Sequence, residues 1–353
     1  MTVYDFSRLS ILLVEDNQYI RHTLEDLLRH FEFGKIITAQ HGQEAIEILS
    51  TSAIAGAPGL GIDIVLADLI MSPINGLLLT RWIRNSKDSP NRFMPVVLLS
   101  GAADDEYVTA ARDLGASEFL AKPFSAENVY KRLLEVIDYP RQIIATHTYF
   151  GPDRRRRHGS YDAQADRRKN TDKDITIVYS EKKTTKPAKA SDVWCFRLPN
   201  ALKGKAGGMG SKGGGEMPMA LLEQAEEKLE RKKLDFADWA LKYLSELSNL
   251  CADALIKPGR RAAHFEKIHL LAHELRGQGG TFGYPLITRV AKMLYDITHE
   301  HCREDDSAVE IVKAHIDTMR VVIRERISGD GGAIGKELLA GIQEAIEKNS
   351  KVG

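Results

Sequence analysis

Short, mainly apolar runs alternate with helix-like segments through the first 140 residues. The runs lack polar alternation, which is typical of parallel strands buried on both faces. Between them, apolar residues recur every three or four positions, as on one face of a helix. The predicted strands are 11–14, 35–39, 65–68, 95–99 and 117–120, and the predicted helices are 18–31, 42–50, 77–85, 105–114 and 125–138. This alternation predicts an α/β fold with a doubly wound, five-stranded parallel sheet over residues 1–140.

The pattern changes twice further along the chain. Residues 141–217 break the pattern, and Gly, Lys and Pro dominate from 182 to 217, so 141–217 are predicted to form a basic, largely disordered linker. Two apolar islands interrupt this range, at 175–179 and 193–198, and each could be a docking strand. Beyond residue 217 helical spacing replaces strand patterns, so residues 218–353 are predicted to form an all-α, antiparallel bundle. Its predicted helices are 218–256, 263–282, 285–301, 307–327 and 334–348.

Composition adds information about charge and compartment. The formal charge is zero overall, but the three predicted segments carry about −7, +9 and −2 in chain order. The three cysteines are widely spaced, so we expect reduced thiols rather than a disulfide framework. No apolar run approaches the ~18 residues that span a bilayer, and the N-terminus lacks the features of a signal peptide. We therefore expect a cytoplasmic protein that does not bind membranes.

Polar side chains follow several of the predicted strands, at the point where each strand ends. They are Glu15 and Asp16, Asp68, Ser100 and Lys122. Because a parallel sheet brings its carboxyl ends to one edge, we expect these side chains to lie close together. Three carboxylates in one cleft repel each other and favour a divalent cation, and oxygen ligands favour Mg²⁺. Singly, each residue has an ordinary structural explanation, such as a loop cap or a solvated surface position.

Together, these residues favour phosphoryl transfer to a carboxylate. Asp68 would act as the nucleophile and become an acyl phosphate. Lys122 and the metal ion would neutralise charge on the phosphoryl oxygens, and Ser100 would donate a hydrogen bond to one of them.

Residues 9–138 resemble the receiver domain of two-component response regulators. The motifs that carry the resemblance are Leu13-Val14-Glu15-Asp16-Asn17, Asp68 with Met71 and Gly76, Ser100-Gly101, and Lys122-Pro123-Phe124. The resemblance implies that Asp68 accepts a phosphoryl group from a histidine kinase, and that the Lys122–Pro123 peptide is cis. One departure is the sequence 71–73, Met-Ser-Pro, where the usual proline is displaced by one position.

The same resemblance implies the roles of the surrounding residues. Glu15 and Asp16 match the acidic pair that binds Mg²⁺ together with the phosphoacceptor. The backbone carbonyl of Ile70 would be a further metal ligand. Ser100 and Phe119, three residues before the lysine, match the hydroxyl and the aromatic residue that switch on phosphorylation.

In the helical region, His273 lies beside the predicted core face of its helix, and three glycines follow it closely. Gly277, Gly279 and Gly280 each cost roughly 1 kcal/mol against alanine in a helix interior. One interpretation is clearance, since missing side chains leave the imidazole accessible to another protein, with Arg276 able to stabilise a phosphoryl group. The other is that the glycines allow tight helix packing and His273 is a surface residue.

The sequence 273–277, His-Glu-Leu-Arg-Gly, with Gly283 further along, resembles the motif of histidine-phosphotransfer (HPt) domains. Arg276 stands where lysine is more usual and keeps the charge. The resemblance implies that His273 is phosphorylated, with Arg276 and Gly277 in support, and that the bundle has no catalytic activity of its own. The i, i+4 pair His269 and His273 could instead bind zinc, although no third ligand is evident.

These features predict a phosphorelay protein that is not itself an enzyme, whose partners are a histidine kinase and other phosphorelay proteins. No histidine-kinase ATP-binding pattern occurs, so the phosphoryl group must come from outside. Two alternatives stay open. The arginine run Arg154–Arg157 could bind nucleic acid or a protein, with the bundle as a docking or dimerisation module. Alternatively, the bundle could dock receivers without carrying phosphate. The oligomeric state is not determined by the sequence.

Overall fold

The computed structural model describes residues 2–52, 61–100, 105–154, 175–181, 186–208, 214–216, 218–299 and 302–350. The chain divides into two compact units, Met1–Glu226 and Glu227–Gly353. Among the residues in these ranges, no helix is both long and apolar enough to cross a bilayer.

The first unit contains a five-stranded, entirely parallel sheet in the order β3-β2-β4-β5-β6. The strands that begin this unit are β1 (Thr2–Val3), β2 (Ser10–Val14), β3 (Lys35–Ala39), β4 (Ile64–Asp68), β5 (Val96–Ser100) and β6 (Glu118–Ala121). The helices are α1 (Gln18–His30), α2 (Gly42–Ser52), α3 (Gly76–Asn85), α4 (Asp105–Leu114) and α5 (Ala126–Asp138). The five sheet strands and five helices agree with the sequence prediction. The central strands β4 and β5 are buried along their whole length, as their unbroken apolar runs indicated.

Local sequence sets where several of these helices begin. Asn17, Asn75 and Ser125 cap α1, α3 and α5, because each side chain accepts a hydrogen bond from a backbone N–H in the first turn. The caps start α1, α3 and α5 just after the loops that leave β2, β4 and β6, at the carboxyl edge of the sheet.

A second, four-stranded sheet follows the receiver-like region, in the order β8-β7-β10-β9. Its strands are β7 (Ile143–Ala145), β8 (Phe150–Pro152), β9 (Ile175–Val178) and β10 (Val193–Phe196). Phe150 and Phe196 lie in its apolar core, and Phe93, from the loop before β5, packs against both of them. This corrects the prediction of a largely disordered linker, since the described part of 141–217 is folded. Neither apolar island is long enough to form a core by itself. Pairing with β7 and packing against Phe93 give the sheet its core.

The first residues of the chain and residues 201–216 both contact the end of α5. The short helix α6 (Ala201–Lys205) precedes β11 (Gly215–Glu216), which pairs in parallel with β1. Asp138, at the end of α5, accepts hydrogen bonds from the Tyr4 hydroxyl and from the backbone N–H of Gly215, and it pairs with Lys203.

The C-terminal part of the chain is helical, as predicted. It comprises α7 (Met219–Ile256), whose first turns belong to the first unit, α8 (Arg261–Gly279), α9 (Pro285–Ile297), α10 (Asp306–Arg324) and α11 (Gly332–Ser350). The predicted core face of α8 is buried, including Phe265, Ile268, Ala272 and Leu275. All three cysteines are free thiols.

Candidate functional site

Three carboxylates meet at the carboxyl edge of the parallel sheet. Glu15 and Asp16 follow β2 directly, and Asp68 is the last residue of the neighbouring strand β4. One ligand atom from each lies within 4.8 Å of the others. Within the described ranges, this is the single group of three or more potential metal ligands that converges. The sequence prediction that these residues share one edge is therefore confirmed.

Lys122 directly follows β6, the edge strand beside β5, and its side chain reaches this cluster. Its Nζ lies 3.1 Å from Glu15 Oε2 and 3.1 Å from Asp68 Oδ1, and the side chain is almost fully buried. The Lys122 backbone N–H donates to the carbonyl of Ser100 at 2.7 Å, which fixes the loop that leaves β6. The Lys122–Pro123 peptide is cis, as the resemblance implied, and Ser72–Pro73 is also cis.

The electrostatics of the cluster follow from its burial. Burial raises the pKa of Glu15 to about 8, with the nearby negative charge of Asp68 as a second cause. Burial alone would lower the pKa of Lys122, but the charges of Asp68 and Glu15 raise it above its ordinary value. Two of the three carboxylates, Glu15 and Asp68, therefore contact one ammonium group, and Asp16 lies close to both, an arrangement that favours a second cation.

The backbone around Asp68 is closely packed. The Leu69 N–H donates to Asp68 Oδ1 at 2.8 Å, which orients the carboxylate. Gly76 begins α3 directly against this strand, and a Cβ added there would lie 2.4 Å from the Asp68 carbonyl oxygen. Only glycine fits at this close approach, which explains the Asn75-Gly76 turn after the strand.

The remaining residues assigned by resemblance lie near the same edge. Ser100 is the buried last residue of β5, and its neighbour Leu99 pairs with Asp68 across the sheet. Phe119, on β6, is half-buried and packs against the core beneath the edge. Ile70 lies two residues beyond Asp68 in the loop. These positions agree with the predicted placement, whereas the switch and metal-ligand roles stay predictions. Gly101 lies outside the described residues.

Sequence reasoning missed Arg21, which holds the acidic turn in place. Its Nη1 donates to the carbonyl oxygens of Glu15 at 2.6 Å and Asp16 at 3.2 Å. By bonding both carbonyls, it fixes the backbone that presents the two carboxylates. A basic residue in the first turn of the following helix is a weak signal, because most such arginines are solvated.

The second candidate site lies on α8. His273 is half-buried, and Arg276 Nη2 donates to its Nδ1 at 3.2 Å. Gly277 is exposed, and a Cβ added there would meet no heavy atom of the described residues within 4 Å. Gly279 is buried, and its added Cβ would lie 2.7 Å from the Tyr284 carbonyl oxygen. The structure therefore shows open space at Gly277 and tight helix packing at Gly279, while access of another protein to His273 stays a prediction.

Two other sequence hypotheses gain no support. Among the described residues, His269 and His273 do not belong to any group of three potential metal ligands, so the zinc hypothesis still lacks a third ligand. Arg154 pairs with Asp113 at 3.3 Å, and its guanidinium lies over the ring of Tyr149. That arginine is part of the folded first unit, and 155–157 fall outside the described residues.

Comparisons with known proteins assign the N-terminal region. The family model of the response regulator receiver domain matches residues 11–134. Chemotaxis protein CheY1 of Helicobacter pylori is 26% identical over 129 residues, which are 36% of this chain and 96% of that protein. A probable transcriptional regulatory protein of Picosynechococcus sp. is 29% identical over 122 residues, covering 35% of this chain. The chain spans only 46% of the length of that second relative.

Solved structures of similar proteins cover the same share of the chain. A response regulator receiver protein from Pseudomonas putida is 28% identical, covering 37% of this chain and 96% of its own, with a TM-score of 0.30. Chemotaxis protein CheY4 of Vibrio cholerae is 23% identical, covering 36% of this chain and 98% of its own, with a TM-score of 0.32. With the family match and the sheet-edge cluster, the N-terminal part of this chain is a response regulator receiver domain of two-component signalling.

Proposed function

We propose that this protein is an intermediate of a phosphorelay, in which Asp68 accepts a phosphoryl group and His273 carries one. The convergence of Glu15, Asp16, Asp68 and Lys122 at one buried sheet edge is the observation that carries this proposal. The donor would be a phosphohistidine of a separate histidine kinase. The protein would transfer phosphoryl groups in response to that kinase rather than turn over a substrate of its own.

At the receiver edge, a carboxylate oxygen of Asp68 would attack the phosphorus of the donor. The phosphorus–nitrogen bond breaks, the donor imidazole leaves, and an acyl phosphate forms on Asp68. Lys122, 3.1 Å from Asp68 Oδ1, is placed to neutralise charge on the transferring oxygens. Ser100, at the end of the adjacent strand, would donate a hydrogen bond from its hydroxyl to a phosphoryl oxygen.

The carboxylates also fit Mg²⁺. Three carboxylate oxygens within 4.8 Å of one another are a hard donor set, which Mg²⁺ prefers. Glu15, Asp16 and Asp68 would hold the ion, with the carbonyl of Ile70 as the ligand implied by resemblance. When bound, Mg²⁺ would supply charge neutralisation to the phosphoryl oxygens.

On α8, the imidazole of His273 would attack the phosphorus of an acyl phosphate, and the aspartate carboxylate would leave. The exposed Gly277 supports this role, because no described atom lies within 4 Å of the place where a Cβ would stand, one turn beyond His273. Arg276, already within 3.2 Å of the ring, would stabilise the added charge. Whether the donor is Asp68 of the same chain or a separate receiver depends on the partners present.

The test uses the full chain and the small-molecule donor phosphoramidate, with radiolabelled phosphorus, in the presence of Mg²⁺. We expect wild type to acquire an acid-stable, alkali-labile acyl phosphate that Asp68→Asn lacks. Asp63→Asn is the matched control, because this carboxylate lies at the opposite end of the same strand region and bonds Ser10 and Lys205. Equal labelling of the wild type and Asp68→Asn would refute the receiver assignment.

The histidine is tested separately with a phosphorylated receiver as donor. We expect wild type to acquire an acid-labile label that His273→Gln lacks. His299→Gln is the control, because His299 is an exposed histidine of the same unit. Retention of the label in His273→Gln would refute the assignment. Unchanged signalling with no label in wild type would instead favour a bundle that docks receivers without carrying phosphate.

A further inference from the structure

The ring of Tyr295, on α9, lies against three side chains of α8. It stacks on His269 with centroids 3.8 Å apart and is tilted toward His273 at 5.6 Å. The guanidinium carbon of Arg276 lies 4.6 Å from the centre of the same ring. One aromatic side chain therefore contacts the proposed acceptor histidine, its charged neighbour and the histidine one turn before.

Arg276 contacts this ring and His273 at the same time. A guanidinium has donors only, so its Nη2, 3.2 Å from His273 Nδ1, donates to a lone pair on that nitrogen. An arginine side chain has many rotamers in water, and a helix-surface arginine would otherwise occupy several of them. The cation–π contact with Tyr295 favours the rotamer in which the guanidinium faces the imidazole.

Tyr295 is itself held from its other side. His269 Nδ1 donates to the backbone carbonyl of Tyr295 at 3.0 Å, which keeps the two rings stacked. Thr298 Oγ1, one turn later on the chain, lies 3.3 Å from the same nitrogen. Burial lowers the pKa of His269, with the positive charge of Arg276 as a lesser cause, which favours the neutral form of the ring beside the guanidinium.

We propose that Tyr295 is a positioning residue for phosphoryl transfer at His273. It keeps the guanidinium of Arg276 beside the imidazole. At rest Nη2 donates to the Nδ1 lone pair of His273, and during transfer the guanidinium passes to a phosphoryl oxygen, which frees that lone pair to attack phosphorus. His269 acts through Tyr295 by holding its ring. This inference rests on the proposed function of His273, and it adds a residue from another helix, which the motif on α8 does not contain.

The test compares Tyr295→Phe with Tyr295→Leu in the full chain. Phenylalanine keeps the aromatic face, so we expect transfer from a phosphorylated receiver to stay within about twofold of wild type. Leucine keeps the apolar volume but not the π face, so we expect the transfer rate constant to fall about tenfold. The donor concentration at half-maximal rate should change little, because Tyr295 is proposed to act on the reacting groups rather than on docking.

A second measurement follows the hydrogen bond without any phosphoryl transfer. Nitrogen-15 spectra of the His273 ring should show Nδ1 as a hydrogen-bonded acceptor in wild type and Tyr295→Phe, and a changed Nδ1 signal in Tyr295→Leu. A Leu variant with wild-type rate and unchanged Nδ1 signal overturns the proposal. If wild-type His273 accepts no phosphoryl group, the proposed function fails, while the spectra still decide whether Tyr295 positions Arg276.

Discussion

Replacing Gly277 by alanine should change the stability of α8 and the rate of phosphoryl transfer to His273 in opposite directions. Alanine is about 1 kcal/mol better than glycine in a helix interior, and the added methyl group would meet no described atom within 4 Å. We therefore expect Gly277→Ala to stabilise the second unit by up to about 1 kcal/mol. The same methyl group lies one turn beyond His273 on its own helix face, so we expect slower phosphoryl transfer to the imidazole.

Gly279→Ala has the same gain in helix propensity but the opposite net effect. Its Cβ would lie 2.7 Å from the Tyr284 carbonyl oxygen and 2.8 Å from the Thr288 nitrogen. These are backbone atoms of the α8–α9 connection and of α9, which cannot move aside as a flexible side chain does. Overpacking of this kind typically costs about 1–3 kcal/mol, which equals or exceeds the gain in propensity. We expect Gly279→Ala to destabilise the unit by up to about 2 kcal/mol.

The assay is calorimetry of the full chain together with hydrogen exchange of peptides from α8. For a unit of this size, about 1 kcal/mol corresponds to a shift in melting temperature of roughly 3–5 °C. Gly341→Ala, in α11, is the matched control, because it also adds a methyl group with no described atom within 4 Å. It should stabilise the unit as Gly277→Ala does while leaving transfer to His273 unchanged.

Two results would contradict this reasoning. If Gly277→Ala lowers the melting temperature, the surface beside His273 is not open as described. If Gly277→Ala stabilises the unit and leaves transfer at the wild-type rate, clearance is not the reason for glycine at this position.

Three further variants test other parts of the chain. Arg84→Leu should destabilise the first unit by about 3 kcal/mol or more in urea unfolding, because it leaves two buried carbonyl groups and one partly buried carbonyl group without their donor. Burial lowers the pKa of His315, so the unfolded chain binds a proton more readily and stability declines as the pH falls below about 6.5. His315→Leu should lack this decline in stability. Mg²⁺ should raise the wild-type melting temperature of the first unit, but not that of Asp16→Asn, in scans with and without chelator.

Each of these has an outcome that would contradict it. Wild-type stability of Arg84→Leu would mean that other groups satisfy the carbonyls. An unchanged slope of stability against pH in His315→Leu would mean that another group titrates. An equal Mg²⁺ response in Asp16→Asn would place the ion elsewhere.

The sequence by itself determined the elements of the receiver domain and the residues at its edge. Apolar runs and helical spacing are local properties, and each cap or turn signal lies within a few residues of the element it starts. Because parallel strands share one carboxyl edge, the convergence of Glu15, Asp68 and Lys122 followed once the strands were assigned. The same local reasoning gave the five C-terminal helices and the core face of α8.

Tertiary structure alone decided the contacts between residues far apart in the chain. The second sheet pairs strands that lie far apart in the chain and adds Phe93 to their core, so neither apolar island indicated its partner strand. Gly277 and Gly279 are glycines two positions apart on the same helix, and the sequence does not distinguish them. Of the two, only Gly279 lies against α9. Tyr295 meets Arg276 only because α8 and α9 pack side by side. Such contacts depend on pairing and packing across the fold, which no local periodicity encodes.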